Sequence, residues 1–475
     1  MNTLLYSLRS PTGAFGHWRR ESAAIVTLAL PLALTMLSHI AMVTTDVVMM
    51  GRLGPQSLAA STLANHLYWL FDMFAMGLVG AVVPILAQHL GARRFRQVRR
   101  AARQGFWAAA IIAVPCTAAI WQTQAILALF GQDPDLSRAA QDYLRAMVPG
   151  FLPGLWFIVL SGFLAAHTRP RATLVVAILG IGINGLADYA LMFGHFGLPA
   201  LGLAGAGYAS ALVSSFMFLG LLAFVSLDWR LRRYRLLGRF WRADWPQLRE
   251  IFHVGLPIAV TVLAEIGLFT AAALLMGLLG TASLAAHGIA VQCCAIAYMV
   301  ADGIAKATMV RVGRAVGAGD HGGAARAGWA GMSLGLAYGL LPAAAFWFLD
   351  SAITDLYLEA NGAESASVTA FAVSFLAVAA LFQIADCTQV TAMGALRGLK
   401  DTHAPMLIAL AGYWGLGLPF GAVFGIYLKL GGEAIWSGLA VGLMVVSGCL
   451  IWRFRILSNS RRAGKMAEIA ASALK

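Results

Sequence analysis

The 475-residue chain is 60% hydrophobic and only 12% charged, whereas soluble domains carry about 25% charge. With a mean hydropathy of +0.76, a soluble fold has nowhere to place this much apolar surface. The net charge of +13 says nothing about nucleic acid until the bases are located.

A bilayer-crossing helix needs about 20 mostly apolar residues. Twelve runs qualify: 24–48, 58–86, 104–128, 143–166, 172–194, 203–227, 251–277, 283–310, 324–348, 366–395, 404–427 and 434–453. Several contain proline (Pro31, Pro84, Pro115, Pro153, Pro257, Pro342 and Pro419), which membrane helices tolerate where neighbours satisfy the freed carbonyl. The expected class is an all-α polytopic membrane protein.

Lys and Arg set the orientation. With the N-terminus inside, 30 of the 34 bases fall in inside segments, leaving Arg52, Arg138, Arg145 and Lys429 outside. Both termini are therefore expected in the cytoplasm, in a multi-pass protein of the cell inner membrane. The seven arginines from Arg230 to Arg249 are expected to face anionic lipid headgroups. The basic excess then calls for no nucleic acid. The five cysteines all lie in apolar runs without metal spacing, as small packing residues do.

An internal repeat follows. At an offset of 226, Leu30-Pro31 falls on Leu256-Pro257 and Thr35 on Thr261. GRLGPQSLAASTLA (51–64) falls on GLLGTASLAAHGIA (277–290) with 8 of 14 identical, and Gly91-Ala92 falls on Gly317-Ala318. Six spans per half make the repeat parallel, about an axis along the membrane normal. The expected organisation is an N-terminal segment 1–23, an N-lobe 24–227, a basic inter-lobe loop 228–250, a C-lobe 251–453 and a tail 454–475. Two facing six-helix lobes suit an alternating-access carrier.

Of the 21 acids, six lie in or near spans: Asp46, Asp72, Asp188, Glu265, Asp302 and Asp386. A charge at the bilayer centre costs about 2.5–3.5 kcal/mol on insertion scales, so each is a functional candidate. Asp302 precedes Lys306 by four residues, a spacing at which the two neutralise each other. Asp72 has no partner nearby in sequence. Asn184 lies one turn before Asp188, on the same helix face. Asp46, Asn184, Asp188 and a hydroxyl such as Ser210 would give oxygen-only ligands for a monovalent cation such as Na⁺, or a proton site; a buried hydrogen-bond network is the structural alternative. Glu265 falls on His39 in the first half, and Asp46 on Ala272 in the second. The acids have diverged while the scaffold matches, as expected of site residues. Asp386 is flanked by Gln383 and Gln389. Facing a cavity, Glu265 and Asp386 would attract an organic cation, a metal ion or a proton.

Thr45, Phe157, Tyr298 and Tyr413 are candidates for lining the cavity. Gly417, Gly421 and Gly425 at four-residue spacing read as a close helix approach. No Walker motif, HExxH or nucleophile elbow occurs, so neither an ATP site nor an enzyme is expected, and no cofactor. Transport would draw on an ion gradient or on substrate exchange.

MVTTDVVMMGRLG, PILAQHLGARR, VRVGRAVGAGD, GALRGLKDT and YWGLGLPFG resemble the multidrug and toxic compound extrusion (MATE) family, its NorM-like bacterial branch in particular. The resemblance covers about residues 20–455. It implies a two-lobe exporter of amphipathic, often cationic compounds in exchange for Na⁺ or H⁺, acting as a monomer amid membrane lipid. It also implies a first-span acid at Asp46, a fifth-span polar pair at Asn184 and Asp188, a sixth-span hydroxyl at Ser210, a seventh-span Glu at Glu265 and a tenth-span Asp at Asp386. Asp at position 188, and Gly185 after Asn184, depart from the NorM-like pattern. A lipid-linked or metabolite flippase on the same scaffold is the alternative, though its cavity would tend to be basic.

Overall fold

In the computed structural model, twelve helices are long and apolar enough to cross a membrane. They are α1 (Gly16–Arg52), α2 (Pro55–Gly91), α3 (Phe95–Trp121), α4 (Pro134–Ala166), α5 (Arg171–Phe193), α6 (Gly202–Leu227), α7 (Trp245–Leu279), α8 (Thr281–Gly317), α9 (His321–Phe348), α10 (Ala366–Gly398), α11 (His403–Tyr427) and α12 (Gly432–Asn459). The structure describes residues 14–236, 238, 241–358 and 363–473. Parts of the expected N-terminal, inter-lobe and C-terminal segments therefore lie outside the described residues. Among the described residues there is no β-strand.

Each expected run lies on one of these helices, but some boundaries move. The third run was expected to reach 128, yet the helix ends at Trp121 and a separate short helix covers Thr123–Leu129. The first helix begins inside the expected N-terminal segment. The last helix continues through the expected tail to Ala473. Polar stretches there keep the helical backbone, which needs no membrane to satisfy its hydrogen bonds. Pro419 is flanked by π-helical turns at Ala411–Gly417 and Val423–Tyr427, which absorb the ladder bond that proline removes.

Two large apolar cores form, one among residues 42–259 and one among residues 268–454. The repeat is visible as matched local structure. Thr35 Oγ1 donates to the Pro31 carbonyl and Thr261 Oγ1 to the Pro257 carbonyl, each at 2.8 Å. Such back-bonding commonly bends a helix, and here it recurs at equivalent places in α1 and α7.

The seam between the halves is matched too. A Cβ on Gly77 would lie 2.8 Å from Ala259 Cα, and one on Gly303 would lie 2.9 Å from Ala33 Cβ. At the inner ends, a Cβ on Gly91 would meet the Arg314 carbonyl oxygen at 2.0 Å, and one on Gly317 the Gln88 carbonyl oxygen at 1.9 Å. All four pairings interchange under the offset of 226, as a pseudo-two-fold axis along the membrane normal requires. Only glycine admits backbones this close.

Polar contacts join the same side. Glu21 and Arg311 form a bidentate pair, with Arg311 Nη2 donating at 2.8 and 2.7 Å and Nε at 3.2 Å. Gln88 Nε2 donates to the Gly398 carbonyl at 2.9 Å. These contacts lie toward the basic face, so the lobes are closed together on the side that the charge bias assigns to the cytoplasm.

The small-residue pattern in α11 packs as expected. Gly417, Gly421 and Gly425 all face α12, with Cβ positions 3.2, 3.1 and 2.5 Å from Gly438 or Ile435 atoms.

Candidate ion and substrate sites in the two lobes

In the N-lobe, α1, α5 and α6 bring four expected residues together. Asn184 Nδ2 donates to Asp46 Oδ1 at 2.8 Å and to Asp188 Oδ2 at 3.4 Å. Ser210 Oγ donates to Asp46 Oδ2 at 3.4 Å. Asn184 thus bridges the two carboxylates, one turn from one and across a helix interface from the other. Asn184 and Asp188 are buried, at 2% and 0% exposure; Asp46 is half-buried. The network is incomplete. Asn184 Oδ1 and Asp188 Oδ1 are buried with no hydrogen-bond partner, and burying unpaired oxygens is costly. Two carboxylates with a shared amide and two free oxygens form an oxygen-only donor set, suited to a hard monovalent cation or a proton.

The C-lobe is organised differently. Asp386 is 4% exposed, Glu265 is half-buried, and the two lie within electrostatic reach of each other. Neither carboxylate has a hydrogen-bond or ion-pair partner among the described residues. The flanking amides bond elsewhere: Gln389 Nε2 donates to the Tyr413 hydroxyl at 2.5 Å, and Gln383 Nε2 to Cys387 Sγ at 3.2 Å. Both leave a buried Oε1 without a partner. Tyr298 and Tyr413 stand within the field of both acids.

Two of the expected lining residues are closed inside their lobes. Phe157, 5% exposed, packs edge-on against His39 at 6.0 Å. Tyr413 is fully buried, its hydroxyl held by Gln389. Thr45 and Tyr298 are half-buried. Thr45 Oγ1 is used up on the Ala41 carbonyl at 2.9 Å.

Asp302 and Lys306 pair at 2.6 Å, as their spacing predicts. Lys306 Nζ also reaches Met36 Sδ on α1 at 3.6 Å, which puts a cation at the lobe boundary. Sequence reasoning missed this crossing, and it also missed Arg397. Counted there only as a topology charge, Arg397 acts electrostatically on Glu265. No local spacing signals either contact. Asp72 remains half-buried on α2 without a hydrogen-bond or ion-pair partner among the described residues.

Comparison with known proteins agrees with this layout. The MatE family model matches residues 31–190 and 257–423, one stretch in each lobe. The chain is 44% identical over 468 residues to a protein of Brucella suis named probable multidrug resistance protein NorM, covering 98% of both chains. It is 45% identical to a Mesorhizobium japonicum protein of the same name, over 92% of this chain and 94% of that one. Among solved structures, a MATE transporter in a bent conformation superposes with a TM-score of 0.84 at 19% identity, covering 96% of this chain and 99% of that one. The eukaryotic MATE transporter AtDTX14 gives 0.81 at 19% identity, covering 94% and 99%. With its family match in both halves and full-length relatives above 40% identity, this chain belongs to the MATE family of membrane transporters.

Proposed function

We propose that this protein is an efflux antiporter of the cell inner membrane, exporting amphipathic, often cationic organic compounds in exchange for Na⁺ or H⁺. The names of its full-length relatives, probable multidrug resistance proteins, support the substrate class. The observation that carries the coupling is the incomplete N-lobe network. Asp46, Asn184, Asp188 and Ser210 present only oxygen and amide groups, and two buried oxygens are left without a donor. A cation or proton completes that set.

The proposed cycle follows from which state binds what. Open to the outside, the N-lobe acids take up the coupling ion and the compound leaves. Open to the inside, the ion leaves and a new compound binds. Coupling requires the ion to favour one state over the other. Its arrival neutralises charge between α1 and α5, which changes how those helices pack. Glu265 and Asp386, free of hydrogen-bond partners, are the proposed attractors for a cationic compound in the C-lobe. The protein acts as a monomer in lipid.

Ethidium efflux in proteoliposomes, with a sodium gradient and a pH gradient imposed separately, tests the proposal. One gradient should drive transport, and Asp188→Asn should remove that response. Absence of transport under either gradient would overturn it in favour of a flippase-type substrate.

A further inference from the structure

The inter-lobe loop does not hang free below the membrane. It is strapped to the cytoplasmic end of the N-lobe. Arg169 pairs with Asp228 at its start. Arg103 Nη1 donates to the Gly238 carbonyl at 2.9 Å, and Gln104 Nε2 to the Arg242 carbonyl at 3.2 Å. Arg100 and Asp244 pair at 3.6 Å. Tyr234 packs edge-on to Phe163 and His167, with ring centres 5.4 and 5.0 Å away. Burial, ahead of the charges of Arg314, Arg233 and Arg169, holds the His167 imidazole down to about 4. This cluster is therefore neutral at physiological pH and serves as a hydrophobic seat for the strap.

Not all of the strap's arginines are used in holding it. Arg230 stacks over Trp229 at 4.8 Å, and Arg233 over Phe95 and Tyr234 at 5.4 and 5.5 Å. Arg232 and Arg235 have no hydrogen-bond, ion-pair or ring partner for their guanidinium groups among the described residues. Both line a cavity of about 270 Å³ between the strap and the inner end of α6. Its other walls include Leu222 and Val225 from α6 and Leu231 and Leu236 from the strap. Arg235 sits there on a left-handed backbone, φ 42°, a conformation rarely adopted by a residue with a Cβ. Along the strap and at the start of α7, Trp229, Trp241 and Trp245 are 68%, 76% and 70% exposed, as tryptophans at the headgroup level are.

We infer that this cavity is a binding site for one anionic phospholipid of the inner leaflet. Arg232 and Arg235 hold its headgroup phosphate, and its acyl chains run along Leu222 and Val225. Charge and shape select this occupant. Two unpaired guanidinium groups match a phosphate, and the apolar walls lie where a lipid tail leaves the headgroup region. A soluble phosphate would leave those walls bare. Since the strap joins the two lobes, a bound lipid anchors their connection to the membrane plane.

Binding of dihexanoyl phosphatidylglycerol to the purified transporter in a neutral detergent tests this, with dihexanoyl phosphatidylcholine and glycerol 3-phosphate as comparators. The anionic lipid should bind at least about tenfold more tightly than either, given the attraction each basic residue exerts on anionic lipid. The Arg232→Gln/Arg235→Gln protein should lose that preference, while Arg233→Gln, whose guanidinium is stacked on rings, should keep it. Val225→Trp fills the cavity with both arginines in place and should also abolish binding, so the conclusion does not hang on one variant folding. Equal affinity for the two lipids, or an unchanged preference in the double variant, would overturn the inference. Glycerol 3-phosphate binding as tightly as the lipid would do so too, because the site would then be one for a soluble anion.

Discussion

The two lobes share a scaffold but not a site. Gly91 and Gly317 make the same approach to each other's lobe, and Thr35 and Thr261 make the same back-bond to a proline carbonyl. The acids diverge in position and, more tellingly, in bonding. Asp46 and Asp188 are tied together through Asn184. Glu265 and Asp386 face each other's fields without a hydrogen bond to fix either. A carboxylate held by neighbours has a defined geometry and suits a small ion that needs several ligands at once. A carboxylate held by nothing suits a cation of variable shape. The difference teaches that the repeat keeps its scaffold contacts in both halves, while the acids of the two halves differ in position and in how they are bonded.

The largest expected effect lies in the N-lobe. Asp46→Asn removes a charge from the bridged network and turns one acceptor oxygen into a donor beside the Asn184 amide. The variant lacks one of the two carboxylates proposed to hold the coupling ion, so gradient-driven ethidium efflux should fall by at least about a hundredfold, equivalent to about 2.8 kcal/mol of lost ion binding. Cells expressing the variant should lose drug resistance while the protein persists in the membrane. Wild-type resistance would end the assignment of coupling to this lobe.

The shared scaffold makes a complementary prediction. Gly91→Val and Gly317→Val each push a side chain into a carbonyl of the other lobe, and overpacking of this kind costs about 1–3 kcal/mol. Spin-label distances between the cytoplasmic ends of α2 and α8 should lengthen in both variants, and by similar amounts. An effect confined to one of the two would break the pseudo-two-fold relation.

How much of this was legible beforehand depends on what sequence can encode locally. The twelve spans follow from apolar run length, and the repeat from ungapped identity such as that between 51–64 and 277–290. The Asn184–Asp188 and Asp302–Lys306 pairs could be read because one helical turn joins them. Asp46 could be grouped with Asn184 and Asp188 as a polar residue inside the membrane and again through the family resemblance, but not by any local spacing, since 138 residues separate it from Asn184. Lys306 reaching Met36 and Arg397 acting on Glu265 were out of reach, because those contacts depend on how long side chains cross between helices. Phe157 and Tyr413 illustrate the opposite error. An aromatic in an apolar span carries no sign of whether it faces a cavity or its own lobe, and both are buried in their own lobe.

A smaller effect is expected in the C-lobe. Glu265→Gln or Asp386→Asn removes one attractive charge but breaks no hydrogen bond described within the lobe. Each should raise the KM for ethidium about tenfold, corresponding to about 1.4 kcal/mol, with thermal stability little changed. If both variants retained wild-type KM, the C-lobe acids would have no part in substrate binding.

The smallest effect tests an asymmetry in the seam itself. Under the offset of 226, Glu21 corresponds to Gln247 and Arg311 to Ile85, so the bidentate pair across the cytoplasmic side has no counterpart. Gln247 instead bonds Glu250 at 3.3 Å, and Glu250 pairs with Lys400 at 2.5 Å within its own half. The glycine contacts close the lobes from both sides of the axis, and this ion pair adds to one side only. The pair is partly screened by solvent, and such a pair contributes about 1 kcal/mol. Glu21→Gln should therefore shift the lobes toward the inward-open state by about fivefold, visible in the same spin-label distances, and this difference from the wild type should shrink at high salt, which screens the pair that only the wild type has. Gln247→Ala, the equivalent change in the other half, should leave the distances unaltered. Equal shifts from the two substitutions would mean that the seam is held symmetrically and that the ion pair adds nothing to it.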